Sequence, residues 1–195
     1  MIELMVPDGT VILSKADPNA GWIMRFVAEQ IQSVTNSPYI HAELIVGSVG
    51  DKVQVFESTV WTKGIRIFSG LRFNVNYIAR PGDVLLFPKN DLTRHEVGLM
   101  GEFLSTYVNQ RARYNFLKLA ALKFFYKYRE TGKTIPFSNN FWGFVCSVVV
   151  AETFVAGGNK VVPIVQEYVA PADLYTSDFF RHKHITERTR LLPIH

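Results

Sequence analysis

The chain has 195 residues, which is a length typical of one folded domain. Apolar residues make up 48% of it and charged residues 19%, a balance that excludes a disordered chain, and no apolar run approaches the about 18 residues needed to span a bilayer. The formal net charge is +4, but its basic residues fall in separate stripes, so we expect no nucleic-acid partner.

The first half of the chain predicts one helix followed by a series of strands. Helical spacing of apolar residues in GWIMRFVAEQIQS predicts a helix over 21–33. The segments 39–47 and 52–59 alternate apolar and polar residues on either side of Gly50-Asp51, so we expect an antiparallel hairpin. The full set of β-rich segments is 10–14, 39–47, 52–59, 64–69, 74–80 and 83–88. They predict a curved antiparallel sheet or a small barrel.

The second half changes to helical periodicity after Thr93. HEVGLMGEFLSTYVNQRA and NFLKLAALKFFYKY predict two helices, and a third is expected from about Gly143 to Ala156 because Gly157 provides a stop signal. Three prolines interrupt the remaining sequence, Pro163, Pro171 and Pro193. We therefore expect an irregular, basic C-terminal tail in an α+β protein.

Cys146 is the only cysteine and it lies near the start of the third predicted helix. A thiol acts as a nucleophile only as thiolate, and a helix amino terminus lowers its pKa through unpaired N–H groups and positive dipole charge. A buried structural cysteine and an intermolecular disulfide are the two other readings. With no basic leader before the first apolar stretch, we expect a cytoplasmic or otherwise reducing compartment, or a place within a larger particle.

A cysteine nucleophile requires a base, and His41 is the best candidate among five histidines. His41 lies in the middle of a predicted strand, opposite the Ile40/Ala42/Leu44/Val46 stripe. His95 lies at a probable helix start, where a surface role is expected. The other histidines occupy the basic tail or the terminus: His182, His184 and His195. A core histidine with a structural partner remains open as the other interpretation of His41.

The base in turn requires an orienting partner, and two carboxylates compete for that role. Glu57 on the next predicted strand can meet His41 across the hairpin. Glu43 shares the strand face of His41 and is the rival. A carboxylate on the surface of an edge strand is the other interpretation of Glu57.

The order of these segments resembles a known family. SPYIHAELIVGSVGDKVQVFESTVWTKGIRIFS is similar to the histidine-bearing and glutamate-bearing strands of the permuted papain-like hydrolases of the NlpC superfamily, in the YiiX-like and lecithin:retinol acyltransferase-like branch. DGTVILS, Arg80, LTRHEVGLMGEFL, Cys146-Ser147 and Pro-Ala-Asp-Leu at 171–174 add to the resemblance. Many relatives have an acidic residue after Cys-Ser, whereas this chain has Val148.

The resemblance spans about residues 8–175 and implies a single domain, 1–195, with a papain-like fold. It implies Cys146 as nucleophile, His41 as base and Glu57 as orienting residue, with no metal or organic cofactor. A faint likeness to the His-Val-Gly element of the unpermuted branch keeps His95 as an alternative base.

The substrates implied by the resemblance are peptide amides, cell-wall peptides and acyl groups of lipids. We expect a cysteine amidase or peptidase that works through a thioester. Two alternatives come from other classes. One is a non-catalytic structural or assembly protein that retains the fold. The other is a lipid acyltransferase or phospholipase with peripheral membrane contact.

Overall fold

A six-stranded antiparallel sheet is the largest element of this computed structural model, which describes residues 1–19, 21–63, 66–75, 77–109, 146–163 and 169–194. Its strands are β2 (Val11–Lys15), β3 (Tyr39–Val49), β4 (Lys52–Lys63), β5 (Arg66–Asn74), β7 (Val84–Pro88) and β8 (Phe180–His184). They lie in the order β5-β4-β3-β2-β7-β8. Leu13 of β2 pairs with Ala42 on one side and Val84 on the other, so the early strand β2 lies in the interior of the sheet.

The hairpin of β3 and β4 is the feature that the sequence predicts best. Val49 pairs with Lys52 across a turn of Gly50-Asp51. Gly50 has φ +62°, a left-handed conformation that favours glycine, as two-residue hairpin turns require. The predicted antiparallel pairing is confirmed.

A smaller three-stranded sheet covers one face of the large sheet. Its strands are β1 (Ile2–Val6), β6 (Ile78–Ala79) and β9 (Thr189–Pro193). β9 is central, parallel to β1 and antiparallel to β6. Val6 and Leu191 are buried in one cluster with Ile12, Ile45 and Leu85 of the large sheet, so apolar burial joins the two sheets.

Four helices lie in the described residues: α1 (Trp22–Thr35), α2 (Arg94–Asn109), α3 (Cys146–Ala156) and α4 (Pro171–Tyr175). α3 packs against the opposite face of the large sheet, where Val149 and Phe154 are buried with Leu13, Leu44 and Leu86. Eight of its eleven residues are buried. Burial on nearly all sides explains how a run of three valines forms a helix, because tertiary packing outweighs their weak helix propensity.

Two glycines end α3 and allow it to approach α2. Gly158 has φ +85°, and the N–H of Asn159 donates to the carbonyl of Phe154 at 2.8 Å, which closes the last turn. A Cβ on Gly157 would lie 2.8 Å from Cγ of Met100, so only glycine permits this contact. The predicted stop at Gly157 is confirmed.

The α+β class is confirmed, and the predicted helices over 21–33 and after Thr93 correspond to α1 and α2. The prediction of an irregular tail is wrong, because the tail contains α4, β8 and β9. Four of the five β8 residues are exposed, so the strand lacks the apolar alternation that would reveal it. The sequence also gave no expectation for β1. The predicted helix NFLKLAALKFFYKY and residues 143–145 lie outside the described residues.

Candidate active site

Cys146 is the first residue of α3 as described, and the large sheet lies directly beside it. The residue retains 1% of its exposed surface. The backbone N–H groups of Ser147 and Ala42 are directed at its sulfur, one from the helix and one from β3. Both donors favour the thiolate over the thiol, because they stabilise negative charge on the sulfur.

His41 on β3 interacts directly with Cys146. Its side chain keeps 24% of its exposed surface, so the imidazole is more accessible than the sulfur. Burial by itself lowers the pKa of His41, but the attraction of Cys146 and the hydrogen bonding between the two side chains reverse the effect and raise this pKa well above its usual range. An imidazolium is therefore stabilised at this position.

The pKa of the Cys146 thiol shifts in the opposite direction to that of His41. Burial raises the pKa of Cys146, yet the positive charge of His41, its hydrogen bond and the two backbone N–H donors together lower this pKa below its usual value. The two side chains thus favour an imidazolium–thiolate pair, which is the reactive form of a cysteine nucleophile.

Glu43 is the carboxylate beside the imidazole. Its Oε1 lies 3.5 Å from Nε2 of His41, and hydrogen bonding and charge from Glu43 contribute to the raised pKa of His41. Glu43 and His41 are two residues apart on β3, so strand alternation directs them to the same side. Its Oε2 is buried with no hydrogen-bond partner among the described residues.

Glu57 lies directly opposite Glu43 in the β3–β4 register and is 5% exposed. Its Oε1 accepts a hydrogen bond of 2.7 Å from Nδ2 of Asn74. The two carboxylates that the sequence offers as orienting residues therefore form one cross-strand pair. Of this pair, Glu43 lies beside the imidazole of His41.

Tyr77 and Asp83 surround Glu43 and were not singled out from the sequence. Burial raises the pKa of Tyr77 well above its usual value, and the negative charges of Glu43 and Asp83 add to this rise. Burial also raises the pKa of Asp83, although the backbone N–H of Arg80 donates to its Oδ2 at 2.8 Å. The only sequence signal was the position of Asp83 after the Pro81-Gly82 turn, which is typical of a structural role.

His95 is exposed on the first turn of α2, next to a helix cap. Thr93 and Glu96 bond reciprocally there: the N–H of Thr93 donates to Oε2 of Glu96 at 2.7 Å, and the N–H of Glu96 donates to Oγ1 of Thr93 at 3.2 Å. The structure gives His95 no contact with Cys146. His182 and His184 lie on β8, and residue 195 is outside the described residues.

Neither a family model nor a curated protein matches the sequence. Among solved structures, the metalloprotein YiiX from Escherichia coli O157:H7 matches with a TM-score of 0.56 over 94% of this chain and 99% of that chain. The chain has a YiiX-like fold. The two sequences are 14% identical, so the likeness concerns the fold alone.

The solved neighbour YiiX is described as a metalloprotein. The described residues of this chain contain no group of three or more His, Cys, Asp or Glu side chains arranged to hold an ion. Within the same residues, no helix has the length and apolar character that crossing a membrane would require.

Proposed function

We propose that this protein is a cysteine-dependent hydrolase of a permuted papain-like type, with Cys146 as nucleophile and His41 as base, acting on an amide bond. The observation that carries the proposal is the direct contact between the thiol and the imidazole at the start of α3, with each group shifting the pKa of the other toward the ion pair. A buried structural cysteine needs no such partner.

The chemistry follows from the two side chains. The Cys146 thiolate attacks the carbonyl carbon and forms a tetrahedral oxyanion. When the C–N bond breaks, the imidazolium of His41 transfers its proton to the departing amine, which leaves a thioester on Cys146. Neutral His41 then takes a proton from water, the resulting hydroxide attacks the thioester, and the acid product leaves as the thiolate and imidazolium are restored.

We assign the orienting role to Glu43 in place of Glu57. Nε2 of His41 lies 3.5 Å from Glu43, which leaves Nδ1 for the sulfur. A carboxylate on one ring nitrogen fixes the tautomer and stabilises the imidazolium, as the third residue of a catalytic triad does. Glu57 then acts on the pair indirectly, through its position opposite Glu43.

The variants Glu43→Gln and Glu57→Gln separate these roles. We expect Glu43→Gln to reduce the rate of Cys146 alkylation by iodoacetamide by about 10-fold on the acid limb of its pH profile, where the thiolate fraction falls tenfold for each unit by which the pKa of Cys146 rises. Glu57→Gln should change the rate by less than about threefold. The reverse order of effects would return the orienting role to Glu57.

The substrate class is the least constrained part of the proposal. An amide is favoured because an imidazolium that is stabilised beside the sulfur supplies the proton that an amine leaving group requires. The resemblance of the sequence to papain-like hydrolases agrees with acyl chemistry at a cysteine. Peptides and cell-wall peptides are therefore the first substrates to assay.

The pH dependence of Cys146 alkylation by iodoacetamide tests the proposal. An ordinary cysteine reacts as its thiol ionises near pH 8.5. We expect Cys146 to react at pH 6 at a rate close to its rate at pH 8, and Cys146→Ser to abolish both labelling and hydrolysis. Mass spectrometry of the intact protein measures the rate. A profile with its midpoint at or above pH 8.5 contradicts the proposal and favours the non-catalytic alternative.

A further inference from the structure

A group of aromatic and basic side chains lies where α4 meets β8. The ring of Tyr175 stacks on His182 with centroids 4.6 Å apart and an angle of 19°, and it lies 5.0 Å from the ring of Tyr39. His184 approaches Tyr175 edge-on at 6.5 Å. The basic–aromatic patch, as we name it, comprises Lys15, Tyr39, Lys89, Tyr175, His182 and His184.

The patch carries unneutralised positive charge. Burial lowers the pKa of His182, and the nearby charges of His184 and Lys89 lower it further. Lys15 places Nζ 6.0 Å from the centre of the Tyr39 ring. In the described part of the chain, none of the four basic groups forms an ion pair with a carboxylate. Clustered cations without counter-charges attract anions.

His182 is held in a fixed orientation. Its ring rests on Tyr175, and the backbone carbonyl of Tyr175 favours the protonated form of the imidazole. The residue is nevertheless exposed to solvent. A positioned ring donor loses little conformational entropy when it binds a ligand.

Two connections place the patch near the candidate active site. Tyr39 precedes His41 by two residues on β3, a separation of about 6–7 Å along a strand. Ser147, the neighbour of Cys146, donates from its Oγ to the carbonyl of Val169 at 2.6 Å, and α4 with Tyr175 begins two residues later. Base and nucleophile are thus each linked to one tyrosine of the patch.

We propose that the basic–aromatic patch is an anion-binding subsite, which takes a carboxylate or phosphate group of the substrate whose acyl bond Cys146 attacks. This inference rests on the proposed function and narrows its substrate class to acidic molecules. The ammonium groups supply charge and the ring N–H groups supply directed donors, a combination that suits a compact oxyanion.

Two alkylating reagents that differ in charge test the position of the subsite relative to the sulfur. Iodoacetate carries a carboxylate and iodoacetamide does not, so the ratio of their rates at Cys146 reports the local potential. We expect Lys15→Gln/Lys89→Gln to lower this ratio by about two- to fivefold at low salt, and 0.5 M NaCl to remove the difference. The rate with iodoacetamide, which is neutral, should fall by a smaller factor.

The matched control is Arg181→Gln/Lys183→Gln. It removes the same charge from β8, but these residues pair with Phe87 and Leu85 and face away from the patch. We expect it to leave the ratio unchanged. Equal decreases in the two double variants would mean that net charge alone acts, and this result, like the absence of any decrease, would overturn the proposal.

A second measurement does not depend on the thiol. Titration of the full chain with inorganic phosphate, and separately with acetate, should produce saturable shifts in the NMR signals of the His182 and His184 rings. Lys15→Gln/Lys89→Gln should abolish them, and Arg181→Gln/Lys183→Gln should not. Tighter binding of phosphate indicates a phosphorylated substrate, and binding of acetate alone indicates a carboxylate.

The two proposals fail in different ways. Absence of saturable histidine shifts overturns the subsite even when Cys146 is highly reactive. An unreactive Cys146 together with saturable shifts overturns the hydrolase and supports anion binding at the patch.

Discussion

His41 and His182 are two partly exposed histidines whose surroundings shift their pKa values in opposite directions. Burial lowers the pKa of both. His41 has a thiolate and a carboxylate as neighbours, and its pKa rises well above the usual range. His182 has His184 and Lys89 as neighbours, and its pKa falls. Because burial lowers the pKa of both, the sign of the nearby charge accounts for the opposite directions of the two shifts.

The opposite shifts suit different roles for the candidate active site around His41 and the basic–aromatic patch around His182. In the proposed mechanism, a protonated His41 keeps the sulfur ionised and has a proton to give to a leaving group. In the proposed subsite, the lowered pKa of His182 means that its ring takes up a proton most readily when a bound anion offsets the charges of His184 and Lys89.

Removal of the His41 imidazole should have the largest effect. In His41→Ala, burial would raise the pKa of Cys146 without an opposing positive charge, so its alkylation by iodoacetamide at pH 6 should slow by at least about 100-fold, the consequence of a two-unit change in pKa. His95→Ala is the control, because His95 is exposed on α2. An equal loss in His95→Ala would transfer the role of base to that residue.

Removal of the Ser147 hydroxyl should weaken the contact between the start of α3 and the segment that leads into α4. Its bond to the Val169 carbonyl is buried, so Ser147→Ala should lower the free energy of unfolding by about 1–3 kcal/mol through an unsatisfied acceptor. Urea denaturation measures this change. Thr106→Ala removes an exposed bond to the Glu102 carbonyl and should cost less than about 0.5 kcal/mol. Equal effects of the two variants would argue against a specific link.

The pH dependence of stability should show the smallest effect. The raised pKa of His41 adds stability that is present below its unfolded value of 6.5 and is lost as pH rises through the folded pKa. The lowered pKa of Cys146 adds stability that is present above its unfolded value of 9.0 and is lost as pH falls through the folded pKa. Because each shift requires the charge of the partner, the pair stabilises the fold only between the folded pKa of Cys146 and that of His41.

The stability difference between the wild type and Cys146→Ser should therefore be greatest near neutral pH and should shrink toward acid and alkali. Urea midpoints at pH 5, 7.5 and 10 measure it. A difference that grows steadily in one direction would mean that only one of the two groups is shifted.

The sequence predicts the parts of the fold that local patterns determine. The Gly50-Asp51 turn and the alternation around it specify the β3–β4 hairpin, and Gly157 marks the end of α3. The strand β8 could not be predicted, because its pairing with β7 and not its own composition makes it a strand.

In the candidate site, too, the sequence predicts only what local patterns determine. A single cysteine before an apolar run and a histidine in the middle of a strand are visible in the sequence. The choice between Glu43 and Glu57 is not, because they occupy opposite positions of one hairpin and satisfy the same pattern. The contact between Tyr39 and Tyr175 depends on the folded arrangement of distant segments and has no local signal.

The wide separation of Cys146 and His41 along the chain has a consequence for the protein before it folds. Because β3 is synthesised long before α3, a growing polypeptide holds the imidazole without its sulfur, and a denatured one holds an ordinary thiol. If the proposed ion pair activates Cys146, its reactivity at neutral pH begins only when the hairpin and the helix come together. The rate of thiol labelling can serve as a direct measure of correctly folded molecules in a preparation.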